Sequence, residues 1–356
     1  MIVAAAAVLA QDARRQEKIE QTQQEEGEAV LTLADAAAAG QSVPLDFEVQ
    51  WQNDFLKAQR GTFVPFTLTI DASGFSRPAA LVYVRVVGHG VPGSPANRQK
   101  PGGEQSRRDD VNFPVDAIFP VDLQPEPGQL ARVSRGFSVG PGDYDVVVVV
   151  RERADPDGRS GRPKATVLKE RLKVPDFASG ELTASTVIVA DRLAVLKDVL
   201  GADELAERPY VIGQNDITPA ADREFRRDEE LIVVFLIYNP TVTAEKKFDL
   251  QVEYHFFRSA VSGAGEPSGA SVPGRPAARD GERYFNRTEP QRFNPSVLGS
   301  QFDPGGGRPV MAGQGIPLTG FDAGEYRLAI TVSDLISGRS ILRDVRFKVV
   351  SEREEL

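Results

Sequence analysis

From Pro44 onward the chain consists of short apolar runs with period-two alternation, each closed by Gly, Pro, Asp or Asn, a pattern that restricts it to strands and turns. The clearest runs are Phe63–Ile70, Leu81–Val87, Tyr144–Val150, Leu231–Tyr238, Phe248–Phe256 and Tyr326–Val332. Helical spacing of apolar residues occurs only near the start and over Leu193–Leu205. Many short strands and few helices predict a mostly β chain of sandwich type rather than a parallel sheet wound with helices.

The runs recur in the same order. In the first half Phe66–Ile70 leads to the Leu81 strand, a Pro/Gly loop, the turn Gly140-Pro141-Gly142-Asp143-Tyr144 and a closing Leu172-Lys173-Val174. In the second, Val233–Tyr238 leads to the Phe248 strand, a longer loop, the turn Asp322-Ala323-Gly324-Glu325-Tyr326 and a closing Phe347-Lys348-Val349. This order predicts two tandem immunoglobulin-like β-sandwiches, residues 41–175 and 176–351, after a short N-terminal helical segment. The boundary is expected at the turn residues Pro175 to Gly180. Tyr144 and Tyr326 fit the tyrosine corner of such sandwiches, where the phenol bonds back to the backbone, and are assigned a structural role. Two positions past each tyrosine, where an antibody domain has cysteine, stand Val146 and Leu328. Packing alone must hold the sheets.

The Pro-Gly-x-Tyr strand start, the junction Lys173-Val174-Pro175-Asp176-Phe177, the strand end Leu236-Ile237-Tyr238-Asn239 and the stretch Tyr326–Val349 together resemble the β-sandwich regions of secreted acidobacterial proteins, including those with von Willebrand A-related domains. The resemblance spans most of residues 41–350 and implies an exported protein with no assigned chemistry. It does not extend to a von Willebrand A domain, since the α/β alternation of that domain is missing.

Ahead of the strands, Ile2–Ala10 is apolar and alanine-rich, and Val8-Leu9-Ala10 has the small residues of a signal cleavage site. No Lys or Arg precedes the run, so residues 1–10 read either as the remnant of an export signal or as the start of a helix. The run is too short to span a bilayer, which needs ~20 apolar residues. Residues 11–40 read as a helical tether, polar to Glu28, then apolar enough at Val30, Leu31 and Leu33 to dock on the first sandwich before Gly40 stops it.

Several motifs that suggest chemistry lack the context it needs. With no Cys and two His, neither a thiol nucleophile nor a Cys-ligated zinc site can be assembled. Gly88-His89-Gly90-Val91-Pro92-Gly93 matches a dinucleotide fingerprint, but Pro92, Pro95 and Pro101 forbid the helix whose amides would hold the pyrophosphate. Asp71–Ser76 is better explained as a turn than as a metal motif, and Asp155-Pro156-Asp157-Gly158 as a hairpin turn, because Thr166 stands where a calcium loop needs Glu. No cofactor or metal is implied. A net charge of -9 argues against nucleic acid as a partner.

Residues 258–309 form a Gly/Pro/Ser/Arg-rich insertion with seven Arg against five acids, a local excess of positive charge on an acidic chain. Loops of that length are usually functional or disordered. Tyr284-Phe285 and Phe293 are expected to pin part of it onto the second sandwich, presenting Arg283, Arg287 and Arg292 with Tyr284 and Phe293 as a binding surface. These features predict a non-enzymatic extracytoplasmic protein, periplasmic or secreted, that offers loops 88–110 and 258–309 to a protein or envelope polysaccharide. The alternative is a carboxylate-based hydrolase of glycosidase type, because 51 acidic residues contain many pairs and none is singled out.

Overall fold

The computed structural model describes residues 2–89, 113–123, 130–154, 161–259 and 275–351. The chain is mostly β and forms two compact units, Met1–Asn53 with Phe66–Asp176 and Asp54–Pro65 with Phe177–Leu356. Up to the junction at Asp176 the elements are α1 (Ile2–Ala38), β1 (Val49–Asn53), β2 (Leu56–Lys57), β3 (Thr62–Ile70), β4 (Ala79–Gly88), β5 (Val115–Asp122), β6 (Ala131–Val139), β7 (Gly142–Glu152) and β8 (Ala165–Val174). Beyond it come β9 (Thr183–Ala184), β10 (Ile188–Val195), α2 (Ala202–Glu207), β11 (Val211–Ile212), β12 (Asn215–Pro219), β13 (Glu224–Arg226), β14 (Glu230–Tyr238) and β15 (Leu250–Ser259). The last are β16 (Glu282–Arg287), β17 (Gln291–Phe293), α3 (Pro295–Leu298), β18 (Val310–Pro317), β19 (Gly324–Asp334) and β20 (Ser340–Val350).

In the first sandwich one sheet has the antiparallel order β5-β4-β7-β8, and in the other β3 pairs with β1 and β6. The run Val146–Val150 is buried at every position because both faces of β7 are covered. On one face Leu81, Tyr83, Val147, Val149 and Val167 pack against Val30, Ala34 and Ala37 of α1. On the other, alternation places Val82, Val84, Val146, Val148 and Val150, all buried.

Helix α1 is fastened by polar groups as well. The buried Glu26 accepts from Arg153 Nη2 at 3.0 Å and the Ala154 amide at 2.6 Å, and Asp35 accepts from Arg85 Nη1 at 2.6 Å. Lys169 donates to the Ala37 carbonyl, a cation at the helix C-terminus where the backbone dipole favours it. The helix stops at Gly40, whose φ of 73° closes a Schellman turn with Gly40 N–H to Ala37 O and Gln41 N–H to Ala36 O. Residues 2–10 are the first turns of this same helix, which runs for 37 residues, longer than the short segment expected.

The second sandwich repeats the strand order. The sheet β13-β20-β19-β15-β16 matches the first sandwich's β8-β7-β4-β5 with β13 added in parallel at the edge, and β10-β14-β18 matches β1-β3-β6. Leu231, Val233, Phe235 and Ile237 of β14 face Val252, Tyr254, Phe256, Leu328, Ile330 and Phe347 in the main core. The alternate residues Val234, Leu236 and Tyr238 face outward and are covered by Leu56, Phe177 and Tyr210, with Phe55 and Phe63 beside them. Residues 54–65 therefore serve as a strap on this sheet.

The tyrosines occupy matching places. Tyr144 donates to Gly140 O at 3.0 Å and Tyr326 to Asp322 O at 2.9 Å, both four residues upstream, and each is at most 5 % exposed. Gly142 and Gly324, with φ of 148° and 154°, open β7 and β19 just ahead of them. Replacing either tyrosine by Phe is expected to cost about 1 kcal/mol in urea unfolding, since the bond is lost while packing stays. A cost confined to one of the two would show that the corners are not equivalent.

Two expectations are corrected. Leu193–Leu205 is not a helix: Leu193 and Val195 lie in β10, paired with Ile217 and Asn215, and only Ala202–Glu207 is helical. Residues 275–309 are not a long loop, because β16, β17 and α3 lie within them. Their strands are too short and too polar to show alternation. The Asp71–Ser76 turn forms as expected, with the Ser73 amide donating to Asp71 Oδ1 at 3.0 Å. The turn at 155–158 and most of loop 88–110 lie outside the described residues.

Candidate functional site

β15 carries two kinds of face. Its even residues enter the core, and Gln251, His255 and Phe257 point to the outer side of the sheet. β16 adds to its edge with a bulge: Asn286 opposes Phe256 and Tyr284 opposes Phe257, so Phe285 is the extra residue. The bulge sends Phe285 to the core, 4.9 Å from the Phe321 ring and 5.3 Å from Tyr326. Tyr284 stays outside, edge-on to Phe257 at 5.7 Å and 6.1 Å from His255.

The bulge also separates the arginines. Arg283 opposes Arg258 on the core-side margin, whereas Arg287 opposes His255 and Arg292 opposes Gln251 on the outer face. All three are exposed. Arg292 forms a two-pronged pair with Asp249, its Nε at 2.7 Å from Oδ1. That bond is the main reason the Asp249 carboxyl is held below its ordinary pKa. Phe293, paired with Leu250, packs half-buried against the core. The residues of the expected surface are therefore spread over two faces of one sheet edge.

Beneath this edge lies a charge network. Arg327, 3 % exposed, sets its guanidinium 4.2 Å over the Phe257 ring, donates to both oxygens of Glu282 at 2.6 to 3.0 Å, and reaches Asp344 Oδ1 at 2.8 Å. Burial alone would raise the Glu282 pKa, but the bonds from Arg327 and the Arg279 amide outweigh it and hold the carboxyl low. Arg275 lies 4.3 Å over Tyr284. His255 is 2 % exposed and neither ring nitrogen has a hydrogen-bond partner among the described residues. Burial, assisted by Arg287 and Arg275 against Glu253, pushes its pKa down. The ring is a neutral part of the layer, and no hydroxyl or carboxylate among the described residues positions it as a base. Nothing in the spacing of residues 251–287 marked this layer, apart from the alternation that put His255 beside aromatic neighbours.

Among the described residues no group of three or more His, Asp or Glu is placed to hold a metal, and no helix is long and apolar enough to cross a membrane. A small cavity of about 180 Å³ in the first sandwich is lined by Ser76, Glu152, Arg153, Arg162 and Lys164. Its carboxylate is occupied: Glu152 accepts from the Ser76 and Lys164 amides and from the Ser76 hydroxyl.

No protein-family profile and no curated protein matches the chain. Solved structures similar to it include trypsin-activated alpha-2-macroglobulin from Escherichia coli, at 10% identity and TM-score 0.23, covering 87% of this chain and 17% of that one. Salmonella alpha-2-macroglobulin mutant Y1175G follows at 15% identity and TM-score 0.22, covering 87% and 15%. Red sea bream transglutaminase is similar at 10% identity and TM-score 0.20, covering 89% and 33%. The chain thus spans a third or less of the length of each of these structures.

Proposed function

We propose that the chain is a non-enzymatic, extracytoplasmic binding or structural protein, of the kind its resemblance to secreted β-sandwich regions suggests, and that the β16–β17 edge meets a protein or envelope polysaccharide. One observation carries this reading: the insertion docks Phe285 and Phe293 on the core and leaves Arg283, Arg287 and Arg292 exposed. Such an edge suits an anionic partner, with Arg287 beside Tyr284 offering a guanidinium and an aromatic ring together.

The test is retention of envelope components by the immobilised chain, wild type against Arg283→Glu with Arg287→Glu. Arg292 is left intact because its pair with Asp249 is part of the fold. Retention is expected to fall about tenfold or more with melting temperature unchanged, as for charges at an interface rim. Equal retention by both proteins would overturn the assignment of this edge.

A further inference from the structure

The strap of residues 54–65 is held on the outer face of the β14 sheet by a few directed bonds. The Phe55 amide donates to Thr186 Oγ1 at 2.9 Å, the Thr186 amide to Phe55 O at 3.2 Å, and the Lys57 amide to the Tyr238 hydroxyl at 3.0 Å. Where the strap begins stands Asp54, 6 % exposed, its amide donating to Pro65 O at 3.0 Å. Its Oδ2 has no hydrogen-bond partner among the described residues. A buried carboxylate oxygen left without a donor is costly when charged, and much less so when it carries a proton.

We propose that Asp54 is a pH-sensitive latch, closing the strap onto the second sandwich when its carboxyl is protonated and loosening it when the carboxyl ionises. The groups that face it are the hydroxyls of Thr186 and Tyr210 and, at longer range, Arg223. Burial pushes the carboxyl up to about 6, against the opposing pull of those three groups. With the strap lifted, Asp54 is solvated and has its ordinary value of 3.8, so by linkage the closed state binds the proton more tightly. Closure is therefore strongest below that ordinary value, weakens as pH rises between the two values, and levels off above the higher one.

Hydrogen exchange on the full chain tests this, corrected for the intrinsic pH dependence of amide exchange. Amides of Phe55, Lys57 and Ala58 are expected to open about tenfold more often at pH 7 than at pH 5, while those in the centre of β19 show no such change. Asp54→Asn, a neutral isostere, is expected to abolish the difference. Tyr210→Phe removes a hydroxyl that favours the ionised form, together with its 3.4 Å bond to Pro65 O, and is expected to move the transition to higher pH. Equal strap protection at the two pH values in the wild type, or a pH dependence that survives in Asp54→Asn, would overturn the proposal.

Discussion

Replacing Arg327 by Met is expected to lower unfolding stability by about 3–5 kcal/mol, because it strands the Glu282 charge, while Asp344 keeps its pair with Arg279. Glu282 is 10 % exposed at its side chain and Asp344 24 %, so neither carboxylate can recover full hydration in place. The acid limb of stability should change with it. A carboxyl held below its ordinary value stabilises the fold above that value and loses the contribution as pH falls through its lowered one. In Arg327→Met this share of the acid dependence is expected to shrink, since the Arg279 amide still donates to Glu282, and Glu282→Gln added to the variant should recover part of the loss. Urea titrations at pH 7 and pH 4 measure both effects. A cost under about 1 kcal/mol would mean that Phe257 packing, not the ion pairs, secures Arg327.

Removing residues 1–40 is expected to be at least as damaging to the first sandwich. The helix covers Leu81, Tyr83, Val147, Val149 and Val167, and fully exposing even two such side chains costs about 3–6 kcal/mol. The truncated chain should bind a hydrophobic dye and associate with rising concentration, since a contiguous apolar sheet face in water recruits another surface. Static light scattering and dye fluorescence check this. A monomeric, dye-silent truncation melting with the full chain would show that α1 is a passenger. A milder probe, Glu26→Gln, weakens the pair with Arg153 while leaving the apolar contact whole.

The strands with long apolar runs were readable from the sequence because each has at least one continuously buried face, as in β4, β7, β14, β15 and β19. The tyrosine corners were readable because turn chemistry is local: the glycine with positive φ and the phenol two residues later lie in one short stretch. β16 was not, having six residues of which Tyr284 and Phe285 are the apolar pair, and its bulge breaks the period that a strand is recognised by. The same bulge explains why Arg283 and Arg287, four residues apart, do not share a face. Asp54 gave no local sign of burial, since what covers it comes from Thr186 and Tyr210, more than a hundred residues further along the chain. Leu193 and Val195 misled because apolar residues exposed on a strand carry no information about period.

The strap has a bearing on how the chain is made. Phe55 meets Thr186 across 131 residues, and Lys57 meets Tyr238 across 181. Contacts of such separation pay a loop-closure cost before they return any stability, and topologies rich in them fold slowly. On a ribosome, residues 54–65 emerge long before β14 exists, while the strands that flank them in sequence already have partners of their own to find. Residues 54–65, in which β2 pairs with the start of β3, must therefore wait for the sheet that they cover. Vectorial synthesis leaves the side chains of Leu56 and Phe63 uncovered until β14 has been made, the interval in which a chaperone has most to do.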